Sequence, residues 1–86
     1  MQPMATAVQV LPEFRLALTY DDGATGIVDF TPLLFGSEAG IFAELRDPQQ
    51  FAQVFIHPEW GHIEWPNGAD LDPYVLYARA TKTPVR

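Results

Sequence analysis

The sequence predicts an α+β domain: an antiparallel sheet of about five strands built from hairpins, with short helices and a C-terminal helix packed on one face. Three observations lead there. Residues 14–20 and 25–30 alternate large apolar with smaller or polar side chains, the period of two that a half-buried strand requires. Residues 54–57 and 62–65 repeat that alternation on either side of Pro58-Glu59-Trp60-Gly61, a four-residue hairpin loop. Finally, Thr31-Pro32, Asp47-Pro48 and Asp72-Pro73 read as helix starts, a capping side chain followed by proline in the first turn.

The first strand runs from Thr6 to Leu11, where Pro12-Glu13 interrupts it. In the next, Phe14, Leu16, Leu18 and Tyr20 face inward. The register of the following hairpin is decided by which pairing keeps apolar faces together. A two-residue Asp22-Gly23 turn sets Leu16 against Asp29 and puts a carboxylate on the core face. A three-residue loop with Gly23 in the left-handed conformation instead pairs Leu16 with Val28, Phe14 with Phe30 and Arg15 with Asp29, and this register is the one expected. Arg15 and Asp29 then form a cross-strand ion pair on the outer face, worth at most about 1 kcal/mol.

The middle of the chain is helical but fragmentary. Thr31 caps one turn at most, because Gly36 follows Leu33-Leu34-Phe35. Ser37 can cap a second short helix that buries Ile41, Phe42 and Leu45, weakened by Gly40. Asp47 starts a third, with Gln50 at the reciprocal capping position and Phe51 as its anchor. In the second hairpin His57 lies opposite His62; Val54, Ile56, Ile63 and Trp65 share the core face, and Phe55, His57, His62 and Glu64 the other. Pro66-Asn67-Gly68 turns the chain into a last helix from Asp72 to Ala80, with Leu71 stapled on Leu76. Domain organisation follows: one domain over residues 1–80 and a flexible basic C-terminal tail over 81–86.

Composition limits the function. With 48% hydrophobic and 19% charged residues the 86-residue chain should fold, although a domain this size buries a modest core. It has no cysteine, so neither a disulfide framework nor a thiolate metal site is available. Neither a signal peptide nor a membrane-spanning run stands out, and a cytoplasmic protein with no membrane partner is the default. The formal charge of −6 is uneven, since Arg79, Lys82 and Arg86 supply three of the five basic residues. Residues 1–78 carry two basic against eleven acidic side chains, a net of −9. Such a body repels phosphate backbones, so nucleic acid is not an expected partner for this chain alone.

Chemistry-bearing residues are few. His57 and His62, with Glu64 and Glu59 nearby, are the one constellation that resembles a metal site, but two imidazoles and one carboxylate fall short of a convergent ligand set. A cross-strand histidine pair is the plainer reading, and no metal or cofactor is expected. Ser37 is the single serine and has no evident route to a histidine, so a hydrolase is not expected. Residues 36–40 lack the lysine of a phosphate-binding loop. Asp72 is explained by capping and Asp29 by Arg15; Asp70 is read as bracing the junction between the Trp65 strand and the last helix through local backbone bonds. Trp60, at a hairpin tip, either folds back on the sheet or stands exposed as a partner anchor.

The order of these signals is familiar. It runs from Leu16-Ala17-Leu18 before Asp22-Gly23, through Gly26-Ile27-Val28-Asp29-Phe30, Pro32-Leu33-Leu34, Phe42 to Leu45-Arg46-Asp47-Pro48 and Phe51-Ala52-Gln53-Val54, to Ile63-Glu64-Trp65-Pro66-Asn67-Gly68-Ala69-Asp70-Leu71. In this the chain resembles the bacterial family catalogued as domain of unknown function 2442, over roughly residues 5–77, with Trp-Pro-Asn-Gly-x-Asp-Leu the most specific part. The resemblance implies a small α+β domain without an established activity. Members stand alone or are joined to a helix-turn-helix domain in candidate DNA-binding regulators, and stand-alone members often lie beside another short protein in a toxin–antitoxin-like arrangement. No appended DNA-binding domain precedes Arg86, so partner binding is favoured over direct DNA binding.

The expected function is therefore that of a non-catalytic protein-interaction module, one half of a toxin–antitoxin-like pair, acting on a protein partner or as a homo-oligomer. The alternative is a DNA-binding regulatory component working as a dimer or with a helix-turn-helix partner. Trp60, Trp65, Asn67, Asp70 and Leu71 are the candidate partner surface or family motif.

Overall fold

The computed structural model describes residues 3–81. Three strands form an antiparallel sheet in the order β1 (Ala5–Leu11), β2 (Arg15–Tyr20), β3 (Thr25–Asp29), and two short ones, β4 (Phe55–Ile56) and β5 (Ile63–Glu64), form a second. The strand signals thus divide between two sheets and do not make one five-stranded sheet. The reason is local: Pro58 and Pro66 bound the second hairpin and leave two residues of ladder per strand, with an isolated bridge between Glu64 and Asp70. This hairpin is tied to the first sheet by Ala5 N–H donating to the Gly61 carbonyl at 2.7 Å.

The register of β2 and β3 is that demanded by the apolar pattern, Arg15 opposite Asp29 and Leu16 opposite Val28. Tyr20 N–H donates to the Ala24 carbonyl, which leaves a three-residue loop closed by Gly23 at φ +87°. The Arg15–Asp29 ion pair does not form. Arg15 Nε instead donates to the Pro12 carbonyl at 3.0 Å, and Asp29 Oδ1 accepts the Thr31 N–H at 2.9 Å. Phe14 keeps its expected partner, accepting the Phe30 N–H at 2.8 Å, and packs against the core, but the regular strand starts one residue later. The Phe14 backbone turns left-handed (φ +59°, after Glu13 at +65°), which removes it from β2 and leaves the ring half-buried, edge-on to Phe35 and Phe51.

Among the helices, α1 (Thr31–Leu34) has no side-chain cap, because Thr31 is already inside the turn and Asp29 binds its amide. Ser37 caps nothing. The segment it was expected to start is a 3₁₀ helix, Gly40–Arg46, opened by Gly40 at φ +57° and burying Leu45, while Ile41 stays exposed. In α2 (Pro48–Phe51) Asp47 is the cap, accepting Gln49 N–H at 2.9 Å. In α3 (Pro73–Thr81) Asp72 Oδ1 accepts Tyr74 N–H at 2.8 Å and Val75 N–H at 3.4 Å. Leu71 and Leu76 both line one small cavity under the second hairpin. Apart from Thr81, the tail expected over residues 81–86 lies outside the described residues.

One core joins both sheets and the helices: Leu16, Leu18, Tyr20, Val28 and Phe30 of the first sheet meet Ile63 and Trp65 of the second hairpin, with Leu34, Leu45, Phe51 and Leu76 over them. Trp65 is its centre. The ring lies 5.6 Å from Phe30, 5.8 Å from Phe51 and 6.1 Å from Phe42, and its Nε1–H donates to the buried Phe51 carbonyl at 2.8 Å. A buried indole needs a partner for that one polar atom, and the end of α2 supplies it. The other end of α3 rests on β3 at Gly26, where a Cβ would stand 1.8 Å from the Ala80 carbonyl oxygen.

Candidate functional site

The second hairpin places the exposed Trp60. His57 stands opposite His62, as the loop length dictates, with His57 N–H donating to the His62 carbonyl at 2.8 Å and Gly61 N–H returning to the His57 carbonyl at 2.9 Å. His57 also organises the loop from within. Its Nδ1 accepts the amides of Glu59 at 3.1 Å and Trp60 at 3.2 Å, which leaves the ring hydrogen on Nε2. With its own backbone fixed this way, Trp60 stands 59% exposed at the tip and does not fold back onto the sheet.

The two imidazoles stack, centroids 5.2 Å apart and planes at 22°. Glu64 Oε1 is 3.3 Å from His62 Nε2 and 4.0 Å from His57 Nε2. One carboxylate oxygen therefore lies within ion-pair distance of Nε2 on both rings, with the histidines partly covered. Among the described residues no group of three His, Cys, Asp or Glu side chains is arranged to hold a metal.

Beside the hairpin lies an open groove of about 350 Å³ lined by Trp60, His62, Asp70, Leu71, Asp72 and Pro73. Its elements come together because the Pro66-Asn67-Gly68 loop folds the chain back so that Asp70 bridges to Glu64, after which Asp72 starts α3. Its lining combines apolar side chains (Trp60, Leu71, Pro73) with two carboxylates, Asp70 and Asp72. Asp72 spends Oδ1 on the amides of α3. Asp70 is exposed, and its carboxylate forms no hydrogen bond or ion pair among the described residues.

That overturns the bracing role read for Asp70. The junction is braced by its neighbours, Asn67 Oδ1 on Ala69 N–H at 2.9 Å and Asp72 on the helix start. Of the five candidate surface residues, Trp60, Asp70 and Leu71 line the groove. Trp65 is 1% exposed and belongs to the core. Asn67 fastens its loop to the 3₁₀ helix, donating to Glu44 Oε1 at 3.0 Å and the Ile41 carbonyl at 3.4 Å. Asp72 and Pro73 escaped the sequence reading as groove residues because a helix start already accounted for both.

The family model described as "Protein of unknown function (DUF2442)" matches residues 5–82. Among solved structures the chain is similar to the putative DNA binding protein NE0471 from Nitrosomonas europaea ATCC 19718, at 31% identity and a TM-score of 0.76, over 93% of this chain and 50% of that one. The chain thus spans about half the length of that protein. No curated protein matches the chain. No described helix is long and apolar enough to cross a membrane.

Proposed function

The chain belongs to this family of proteins of unknown function, and from that footing we propose that it is a non-catalytic protein-interaction module that docks a basic side chain of a partner in the Trp60 groove. One observation carries the reading: an indole left 59% exposed shares a groove with an aspartate whose carboxylate is unengaged. A lysine or arginine suits both kinds of lining, its methylenes lying on Leu71 and Pro73 and its charge reaching the indole face and Asp70. A cation over an exposed tryptophan contributes about 0.5–1 kcal/mol. The net of −9 over residues 1–78 steers such a partner toward the domain. The second member of a toxin–antitoxin-like pair is the kind of partner the family resemblance suggests.

The test is a pull-down from the native host with wild type, Trp60→Ala and Asp70→Ala, bound proteins identified by mass spectrometry. One protein retained by wild type and lost from both variants, with melting temperatures unchanged, is the expected outcome. Equal retention by all three would sink the groove as the docking surface.

A second reading, a component of a DNA-binding regulator, is favoured by the similarity to NE0471, which is named as a putative DNA binding protein and is twice as long as the match. Gel shifts at two salt concentrations separate the two. Retention that ignores sequence and vanishes with added salt reduces this reading to weak electrostatics.

A further inference from the structure

We propose that the hairpin loop over residues 58–61 is a latch worked by a proton: neutral His57 holds Trp60 at the tip, and a proton arriving at His57 Nδ1 releases it. Two backbone amides, those of Glu59 at 3.1 Å and Trp60 at 3.2 Å, converge on that nitrogen. A ring nitrogen that accepts carries no hydrogen, so the loop in this form requires the neutral imidazole. In the imidazolium both ring nitrogens are donors. Its Nδ1–H faces two N–H groups, and the bonds that fix the backbone of residues 59 and 60 are lost together.

The rest of the hairpin does not depend on the ring. His57 N–H donates to the His62 carbonyl, Gly61 N–H to the His57 carbonyl and Ala5 N–H to the Gly61 carbonyl, all through backbone atoms. Opening is therefore confined to the tip. It frees Trp60, whose ring centroid lies 6.4 Å from that of His57, and so changes the groove that Trp60 lines.

The surroundings supply a counter-charge for the proton. On β5, Glu64 Oε1 is 4.0 Å from His57 Nε2 and 3.3 Å from His62 Nε2, and the His62 ring stacks on His57 at 5.2 Å. Within the loop Glu59 is the one ionisable residue. β1, which packs against β4, carries no ionisable side chain from Ala5 to Leu11. Asp70 and Asp72 line the groove with His62. A charged His62 keeps Glu64 in reach and breaks no hydrogen bond of its ring among the described residues. A charged His57 keeps Glu64 through Nε2 but breaks two. Of the two histidines, only His57 couples its charge to the loop. The latch is a property of the free chain, and it holds whether or not a partner docks in the Trp60 groove.

The experiment is an NMR titration of the full chain from about pH 8 to about pH 5, the interval in which histidines change charge, following the backbone amides and the ring nitrogens of both histidines. At the alkaline end His57 is expected with its hydrogen on Nε2. As the ring takes up a proton, the Glu59 and Trp60 amides should shift with the same midpoint, while those of Tyr20 and Trp65 stay in place. One proton taken up on opening raises the ratio of open to closed loop by up to about tenfold per pH unit. His57→Asn offers an acceptor that takes up no proton, and should hold both amides closed throughout. His62→Gln should keep the transition, and with the wild-type titration it decides the matter even if His57→Asn does not fold. The proposal is overturned by a hydrogen on His57 Nδ1 at the alkaline end, or by Glu59 and Trp60 amides indifferent to the charge of His57. A transition that persists in His57→Asn, that vanishes in His62→Gln, or that carries Tyr20 and Trp65 with it as general unfolding overturns it equally.

Discussion

Asp22 and Asn67 hold equivalent places in two loops of one construction. In each, an aromatic residue donates its N–H across the loop to an alanine carbonyl, Tyr20 to Ala24 at 2.8 Å and Trp65 to Ala69 at 3.0 Å. A glycine of positive φ, Gly23 at +87° or Gly68 at +91°, donates back to the aromatic carbonyl. The Asx Oδ1 accepts the alanine N–H, at 2.9 Å in both. Only Asn, Asp and Gly suit these roles, by a short side-chain acceptor and tolerance of left-handed backbone. The two loops differ in what the remaining Asx atom reaches. Asp22 Oδ2 accepts the Tyr77 hydroxyl and ties the loop to α3, whereas Asn67 Nδ2 donates to Glu44 on the 3₁₀ helix.

The difference predicts unequal costs for the conservative exchange. Asn67→Asp keeps the acceptor on Ala69 but sets a carboxylate against Glu44, and should destabilise by about 1–2 kcal/mol. Asp22→Asn keeps its acceptor and faces a hydroxyl that can reverse its role, so its loss should be the smaller. Thermal melts of both variants at neutral pH check the order; equal shifts would mean the outward contacts contribute nothing.

Trp65→Phe removes the N–H bonded to Phe51 and leaves a space among Phe30, Phe42 and Phe51. The expected loss is about 2–4 kcal/mol, the sum of an orphaned carbonyl and an incompletely filled site. For a domain of ordinary stability that is a large fraction of the total. Urea denaturation measures it, and a loss under about 1 kcal/mol would show the core repacks freely around position 65.

The hairpins were legible because period-two alternation admits one register: Leu16 opposite Val28 and His57 opposite His62 follow from keeping Val28, Ile56 and Ile63 inside. Their assembly was not legible. Nothing local in Ala5 or Gly61 announces the bond that joins the two sheets, and the left-handed turn at Glu13-Phe14 uses residues that do not advertise it. Capping was read correctly at Asp47 and Asp72 and misread at Thr31, although it too precedes a proline, and at Ser37. In the first case Asp29, two residues upstream, takes the Thr31 amide. Trp60 announced itself as a bulky ring at a loop tip, but the groove beside it needs Asp70 and Pro73 brought in by a later turn.

Gly26 and Gly23 predict two different penalties for the same substitution. Gly26→Ala places a methyl 1.8 Å from the Ala80 carbonyl, so the end of α3 must lift from β3, at a cost of about 1–3 kcal/mol. Gly23→Ala meets nothing within 4 Å and costs only the left-handed backbone, about 1–2 kcal/mol. Amide exchange distinguishes them: protection in the last turn of α3 should fall in Gly26→Ala and persist in Gly23→Ala. Equal protection in both would show that α3 does not depend on this close approach.

Tyr77 couples stability to pH at both ends of the scale. Its hydroxyl holds the Asp22 carboxyl below the usual range, with the Ala24 amide second, and the Thr31 amide and hydroxyl do the same for Asp29. The unfolded chain takes up these protons near the ordinary value of about 3.9, so stability is present above it and is lost as pH falls through the lower folded values. In the other direction, the bond to Asp22 raises the Tyr77 hydroxyl, and burial, followed by Tyr77 and Asp22, pushes Tyr20 up to about 12. Unfolded tyrosines ionise near 10, so stability is present below that and is lost as pH rises toward the folded values. Melting temperature should therefore hold level through neutral pH and decline below about 4 and above about 10. Tyr77→Phe removes the donor from Asp22 and a neighbour from Tyr20, and should flatten both declines while leaving the share of Asp29 on the acid side. Circular-dichroism melts of wild type and Tyr77→Phe across that range decide it; an acid decline of the same steepness in the variant would show that Asp22 gains nothing from the hydroxyl.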